Sequence, residues 1–180
     1  MRRHLTASAA CLLAMLMLGG CLMDGTIDKS GGGTLTVRQR LANKEQFEQA
    51  KKRLQSADVT MTDASVGDDK WATFQVKFAD VSKLSTTAFF EHTKFTLNDD
   101  AGGTKTLTVK YLNPSHTKLP DELVAYFGNT VTIVLHLPAE VVKSNATKTS
   151  GSSVEWSYPL AAFADLNELT LNVTYKRPKP

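Results

Sequence analysis

The sequence predicts an α+β domain: one curved antiparallel sheet of about six to eight strands, with one longer helix and one or two short ones on one face. Three observations carry this. Short runs alternate apolar and polar residues at period two along most of the chain. One stretch near residue 45 has helical periodicity. Clusters of Asn, Asp, Gly and Pro separate the runs, as turns require.

In chain order, Arg2 and Arg3 precede Leu5–Gly20, a stretch of 16 residues without charge. As a helix it would span about 24 Å at ~1.5 Å per residue, short of the ~30 Å hydrocarbon core. It therefore reads as a secretory signal over residues 1–20. The signal ends in Leu18-Gly19-Gly20-Cys21, which resembles the lipobox of bacterial lipoproteins. That resemblance implies cleavage before Cys21 and lipid on its thiol. Cys11 is lost with the signal, so no disulfide remains possible within the mature chain. Removal of Arg2 and Arg3 leaves 19 basic against 18 acidic residues, which gives nucleic-acid binding no support. Leu22 after the cysteine, where an aspartate would favour inner-membrane retention, leans towards the outer membrane if the organism has one.

Residues 21–33 then read as the lipidated cysteine and a Gly-rich tether. A small hairpin turning Thr26-Ile27 back on Thr34-Leu35 is the other reading of the same glycines. Residues 34–176 form the domain. Leu35, Val37 and Leu41 begin it with one apolar face. Asn43 and Gln46 are spaced as a capping box, and Phe47, Ala50 and Leu54 recur on one side of the helix that follows. Phe74, Val76 and Phe78 form the next apolar face. Phe95 and Leu97, then Asn98–Gly103, then Leu107, Val109 and Tyr111 predict the clearest hairpin. Pro120, with Asp121 and Glu122, opens a short helix ending at Gly128. Val131, Ile133, Leu135 and Leu137 make the best buried face, Leu160–Leu166 a further helical turn, and Leu169, Leu171, Val173 and Tyr175 the last strand. Residues 177–180 are a basic, Pro-rich tail.

Leu137-Pro138-Ala139-Glu140-Val141-Val142, then Ser144-Asn145-Ala146, then Val154-Glu155-Trp156 resembles the LppM domain of bacterial lipoproteins. Its Leu-Pro turn, Asn-containing turn and hydrophobic-x-Trp strand appear in that order, although Ala139 and Ala146 stand where glycines are usual. The resemblance implies a sheet-and-helix fold similar to the lipid-binding Bet v 1 type, and a role in binding envelope lipids or glycolipids.

The residues themselves supply no catalytic signature. His92, His116 and His136 lack metal-ligand spacing, no GxSxG elbow is present, and Asp99-Asp100 sits on a hairpin tip. No cofactor or metal is implied, and an enzyme is not expected. Phe89, Phe90, Tyr126, Phe127 and Trp156 are the candidate ligand-binding residues, because a curved sheet closed by a helix leaves an apolar cavity. The expected function is a membrane-anchored extracytoplasmic lipoprotein that binds an envelope lipid or glycolipid in a cavity on the order of several hundred Å³. The alternative is a tethered protein-interaction module of an envelope assembly, which would show an exposed apolar patch or an open sheet edge.

Overall fold

The computed structural model describes residues 21–41, 43–67, 70–114 and 130–178. In chain order these form β1 (Cys21–Ile27), β2 (Gly33–Arg40), α1 (Lys44–Arg53), β3 (Val59–Val66), β4 (Trp71–Phe78), β5 (Thr93–Asp100) and β6 (Thr104–Leu112). They continue with β7 (Thr130–His136), β8 (Val141–Ser144), β9 (Lys148–Ser150), β10 (Ser153–Pro159), α2 (Leu160–Asp165) and β11 (Glu168–Lys176). Two 3-10 turns, Val81–Thr86 and Ala88–Phe90, link β4 to β5. The helix expected at Pro120–Gly128 lies outside the described residues.

The single antiparallel sheet expected from the alternation is instead two open sheets. One has seven strands in the order β3-β4-β2-β1-β7-β10-β9, the other four in the order β5-β6-β11-β8. The first is mixed: β1 runs parallel to β7 and antiparallel to β2. Alternation reports which face of a strand is buried but not which strands share a sheet, so the division was not legible in it. With sheet predominant and few helical turns, the α+β description holds only roughly.

The Gly-rich segment read as a tether is a central strand. β1 pairs with β2 from Leu22–Arg38 to Ile27–Gly33, so the hairpin reading is the observed one and extends back to the cysteine. Gly33 permits the tight turn: a Cβ there would lie 1.8 Å from the Thr26 carbonyl oxygen. Asp28 closes the loop by accepting from the amides of Ser30 and Gly32 at 2.8 and 3.0 Å. These hydrogen bonds, with the Ser30 hydroxyl foremost, hold its carboxyl below the usual range.

α1 begins where expected, with the Asn43 side chain accepting from the Gln46 amide at 2.9 Å. Its apolar stripe lies on the inward face of the seven-stranded sheet, where Phe47 stacks on Phe74 at 5.3 Å. One core cluster joins Val37, Phe74 and Trp156 of the larger sheet to Leu107, Leu171 and Tyr175 of the smaller. At the end of the sheets where β6 stops, the Asn113 side chain donates to the Ala164 carbonyl at 2.9 Å and ties α2 across.

Candidate functional site

The alternation that builds β1 points Cys21, Met23, Gly25 and Ile27 inward. In register beside them, Val131, Ile133 and Leu135 of β7 point the same way. Central strands normally bury such a face completely. Here Val131 is fully buried, yet Met23 and its direct partner Ile133 are only partly so. They face a cavity of about 80 Å³ between the two sheets. Gly25 forms part of its floor, because a Cβ there would approach Leu135 Cδ2 to 2.8 Å. Opposite, Val109 and Tyr111 of β6 and Leu169 and Leu171 of β11 supply the smaller sheet's wall.

The side wall comes from the 3-10 turns. Asp80 caps the first by accepting from the Ser82 amide at 2.8 Å. The turns then bring Leu84, Phe89 and Phe90 to the cavity. Phe90 meets Phe89 and Phe95 edge-on, with ring centroids 4.9 and 5.2 Å apart. Such contacts fix the rings as a rigid apolar surface. At the end where α2 crosses, Tyr158 of the larger sheet, Phe163 of α2 and Tyr111 of the smaller sheet form an aromatic span, with centroid distances of 6.4 and 5.5 Å. Burial raises the phenols of Tyr111 and Tyr158 above their ordinary value, so both stay neutral at physiological pH. Thr34, His92 and Thr93 are the few polar side chains nearby, with Glu91 3.5 Å from the imidazole.

The chemistry available is apolar enclosure. The volume corresponds to roughly five to eight water-sized spheres at ~10–15 Å³ each, well below the several hundred Å³ expected from sequence. It suits a segment of one hydrocarbon chain, not an entire lipid. A broader groove of about 490 Å³ lies between α1 and the edge strand β3, lined by Lys44, Phe47, Glu48 and Val66 among others. That groove is open and mixed in polarity, and Val66 is 52% exposed there.

Phe89 and Phe90 lie on the cavity wall. Trp156 does not line this cavity. It is 1% exposed, and its indole N–H donates to the Asn145 side chain at 3.0 Å. Its volume is spent on the core, and its one polar atom is already paired. Tyr126, Phe127 and His116 lie outside the described residues. Met23, Gly25, Ile133, Tyr111 and Phe163 went unrecognised because each reads as ordinary core, and only the joining of two sheets places them around one space.

Cys21 is 3% exposed, and burial pushes its thiol up to about 12. A second orphan stands close by. Gln39 is 1% exposed, and among the described residues neither its side-chain nitrogen nor its oxygen has a hydrogen-bond partner. A polar residue at the inward parity of Leu35, Val37 and Leu41 was the available sequence signal for it.

On the outer face of the larger sheet, His136 Nδ1 lies 2.9 Å from the Ser153 hydroxyl, and Nε2 lies 3.4 Å from Asp24. The side chains of His136 and Asp24 are 46% and 48% exposed. A hydrolytic triad needs a sheltered hydroxyl and donors for an oxyanion. This arrangement is spread over a solvated sheet surface, with the carboxylate on the opposite ring nitrogen from the usual one.

Comparison with protein-family models gives no match, and comparison with curated proteins gives none. Among solved structures, the chain is similar to the folded domain of LppM from Mycobacterium tuberculosis, determined by NMR. The TM-score is 0.55 at 14% sequence identity, over 91% of this chain and 92% of that one. The two share a fold, with the similarity extending far beyond Leu137–Trp156.

Proposed function

We propose that this chain is an extracytoplasmic envelope lipoprotein, anchored through Cys21, whose intersheet cavity receives an acyl chain of an envelope lipid or glycolipid. The carrying observation is the incompletely buried pair Met23–Ile133, at the centre of a sheet face that core packing would otherwise fill. An apolar space enclosed by rigid aromatic walls favours hydrocarbon over water or polar ligands. Binding is the favoured activity over catalysis, because the cavity wall is built almost entirely from apolar side chains.

Anchoring would place a thioether at Cys21. Its S–C bond forms as a phospholipid's glyceryl C–O bond to phosphate breaks, and the thiol proton leaves with the phosphate headgroup. Because β1 begins at the cysteine, no spacer separates anchor from domain. The outer membrane is the favoured address in a double-membrane organism, because Leu22 and not an aspartate follows Cys21.

The test is native mass spectrometry of a Cys21→Ser chain exported to a bacterial periplasm, with its organic extract analysed in parallel. A stoichiometric lipid that disappears in Gly25→Val, with circular dichroism unchanged, supports the reading. An apo mass unchanged after incubation with envelope lipid vesicles overturns it. The second reading, a tethered interaction module, has its own observation in the open edge of β3 and exposed Val66 beside the α1 groove. Crosslinking from Val66 to one specific envelope protein in cells would support it.

A further inference from the structure

The three features described around the start of β1 fall on one line. The register that pairs Leu22 with Arg38 and Met23 with Val37 carries Cys21 opposite Gln39 on the inward face. Gln39 is flanked there by Ala72 of β4 and by Val37 and Leu41 of its own segment, whose side chains offer no hydrogen-bonding atom. Its amide therefore presents two donors and an acceptor, buried and unused, beside the cysteine. A buried amide in that state is costly, so a polar group of matching character is the expected occupant. Two residues along β1, about 6.6 Å further at ~3.3 Å per residue, Met23 forms the near wall of the cavity.

We infer that the lipid on Cys21 is held in cis by the domain that carries it. The glyceryl ester carbonyls accept from the Gln39 amide nitrogen. The amino group released by cleavage before Cys21, or its acylated N–H, donates to the Gln39 oxygen. One acyl chain passes Met23, whose unbranched thioether yields readily, into the intersheet cavity. The remaining acyl substituents stay in the bilayer. This rests on the reading that Cys21 is lipidated. It also accounts for the orientation of the cysteine. A lipid directed outward would require Cys21 to leave the inward face and break its pairing with Val131. The cavity is then filled by the anchor, and the domain lies directly against the membrane with that end down.

The experiment compares the full lipidated chain, purified in mild detergent, with the Cys21→Ser chain. Intact mass first records the acyl groups on Cys21, and uptake of a fluorescent C16 fatty acid is then titrated on both. A tethered chain acts at a millimolar effective concentration, so against a micromolar probe it should suppress uptake by roughly 10²-fold or more. Gln39→Leu should restore uptake several-fold in the lipidated chain. A lipidated chain that takes up the probe as well as Cys21→Ser does overturns the inference and leaves the cavity reading intact. No uptake by Cys21→Ser overturns the cavity reading itself. Absence of acyl mass overturns lipidation, and the inference with it. A photoreactive fatty acid incorporated in cells gives an independent reading. Crosslinks at Met23, Ile133 or Phe90 of the same chain support occupancy in cis, and crosslinks confined to bilayer lipid overturn it.

Discussion

The indole N–H of Trp156 donates to the side-chain oxygen of Asn145 at 3.0 Å, across the boundary between the two sheets. The same oxygen accepts from the Asn172 amide at 2.8 Å, and the Asn145 amide nitrogen donates to the Thr170 carbonyl at 2.8 Å. Asn145 thus ties β10 to β11. Asn145→Ala strips the buried indole of its acceptor and removes two further bonds, at a cost of about 2–3 kcal/mol. The thermal midpoint should fall by roughly 6–10 °C, followed by circular dichroism. Asn145→Asp keeps the acceptor and should lose less. A midpoint unchanged in Asn145→Ala would dismiss the tie.

Tyr175 is 1% exposed, and its hydroxyl has no partner among the described residues. Burial first, then the charges of Asp99 and Asp28, raise the phenol from 10.0 to about 12. The unfolded chain ionises near 10 and the folded chain near 12. Stability is therefore unaffected by this group below pH 10 and declines as pH rises from 10 towards 12. Urea unfolding at pH 8, 10 and 11 should show that decline. Tyr175→Phe should lessen it and, by removing an unsatisfied hydroxyl, stabilise the protein at neutral pH by about 1 kcal/mol. Tyr111 and Tyr158, also raised by burial, contribute to the slope that remains.

Gln39 makes a prediction about the unlipidated protein. With both side-chain polar atoms buried and unpaired among the described residues, its replacement by leucine of similar volume should stabilise the Cys21→Ser chain by roughly 1–3 kcal/mol. The midpoint of urea denaturation reads this directly. Destabilisation would mean that the amide already has its partner in the unlipidated domain.

The thiol of an unlipidated chain should be nearly inert. A shift from 9.0 to about 12 leaves roughly 10³-fold fewer thiolates at neutral pH, and burial blocks access besides. Labelling of Cys21 by an aromatic disulfide reagent should slow by at least that factor against a urea-unfolded control. Rates within about tenfold of the control would place Cys21 outside the core.

Much of the architecture was legible because it is local. The Phe95–Tyr111 hairpin, the Asn43 cap and the alternating face of Val131–Leu137 each express a short-range rule. The parallel neighbour of β1 was not legible, because Gly25, Gly31 and Gly33 are read as flexibility when no partner strand is in view. Seen from both sides, Gly25 makes room for Leu135 and Gly33 for the Thr26 carbonyl. The cavity was only half legible. Phe89 and Phe90 stood out as aromatic residues, whereas Met23 and Ile133 look like any core residues until a wall is missing opposite them. Trp156 stood out as an aromatic residue like Phe89 and Phe90, and in the structure its indole makes a hydrogen bond between the sheets.

The β1–β7 pairing sets an order of events. Cys21 meets Val131 across 110 residues of chain, the kind of distant contact that slows folding. A chain threaded through a membrane from its amino end must deliver residue 131 before that side of β1 can close. Until then the sulfur remains accessible, and afterwards it is sealed. Under the proposed export and lipidation, an enzyme acting on Cys21 would work within an interval timed by translocation, and a variant that folds faster would narrow that interval without touching the cysteine.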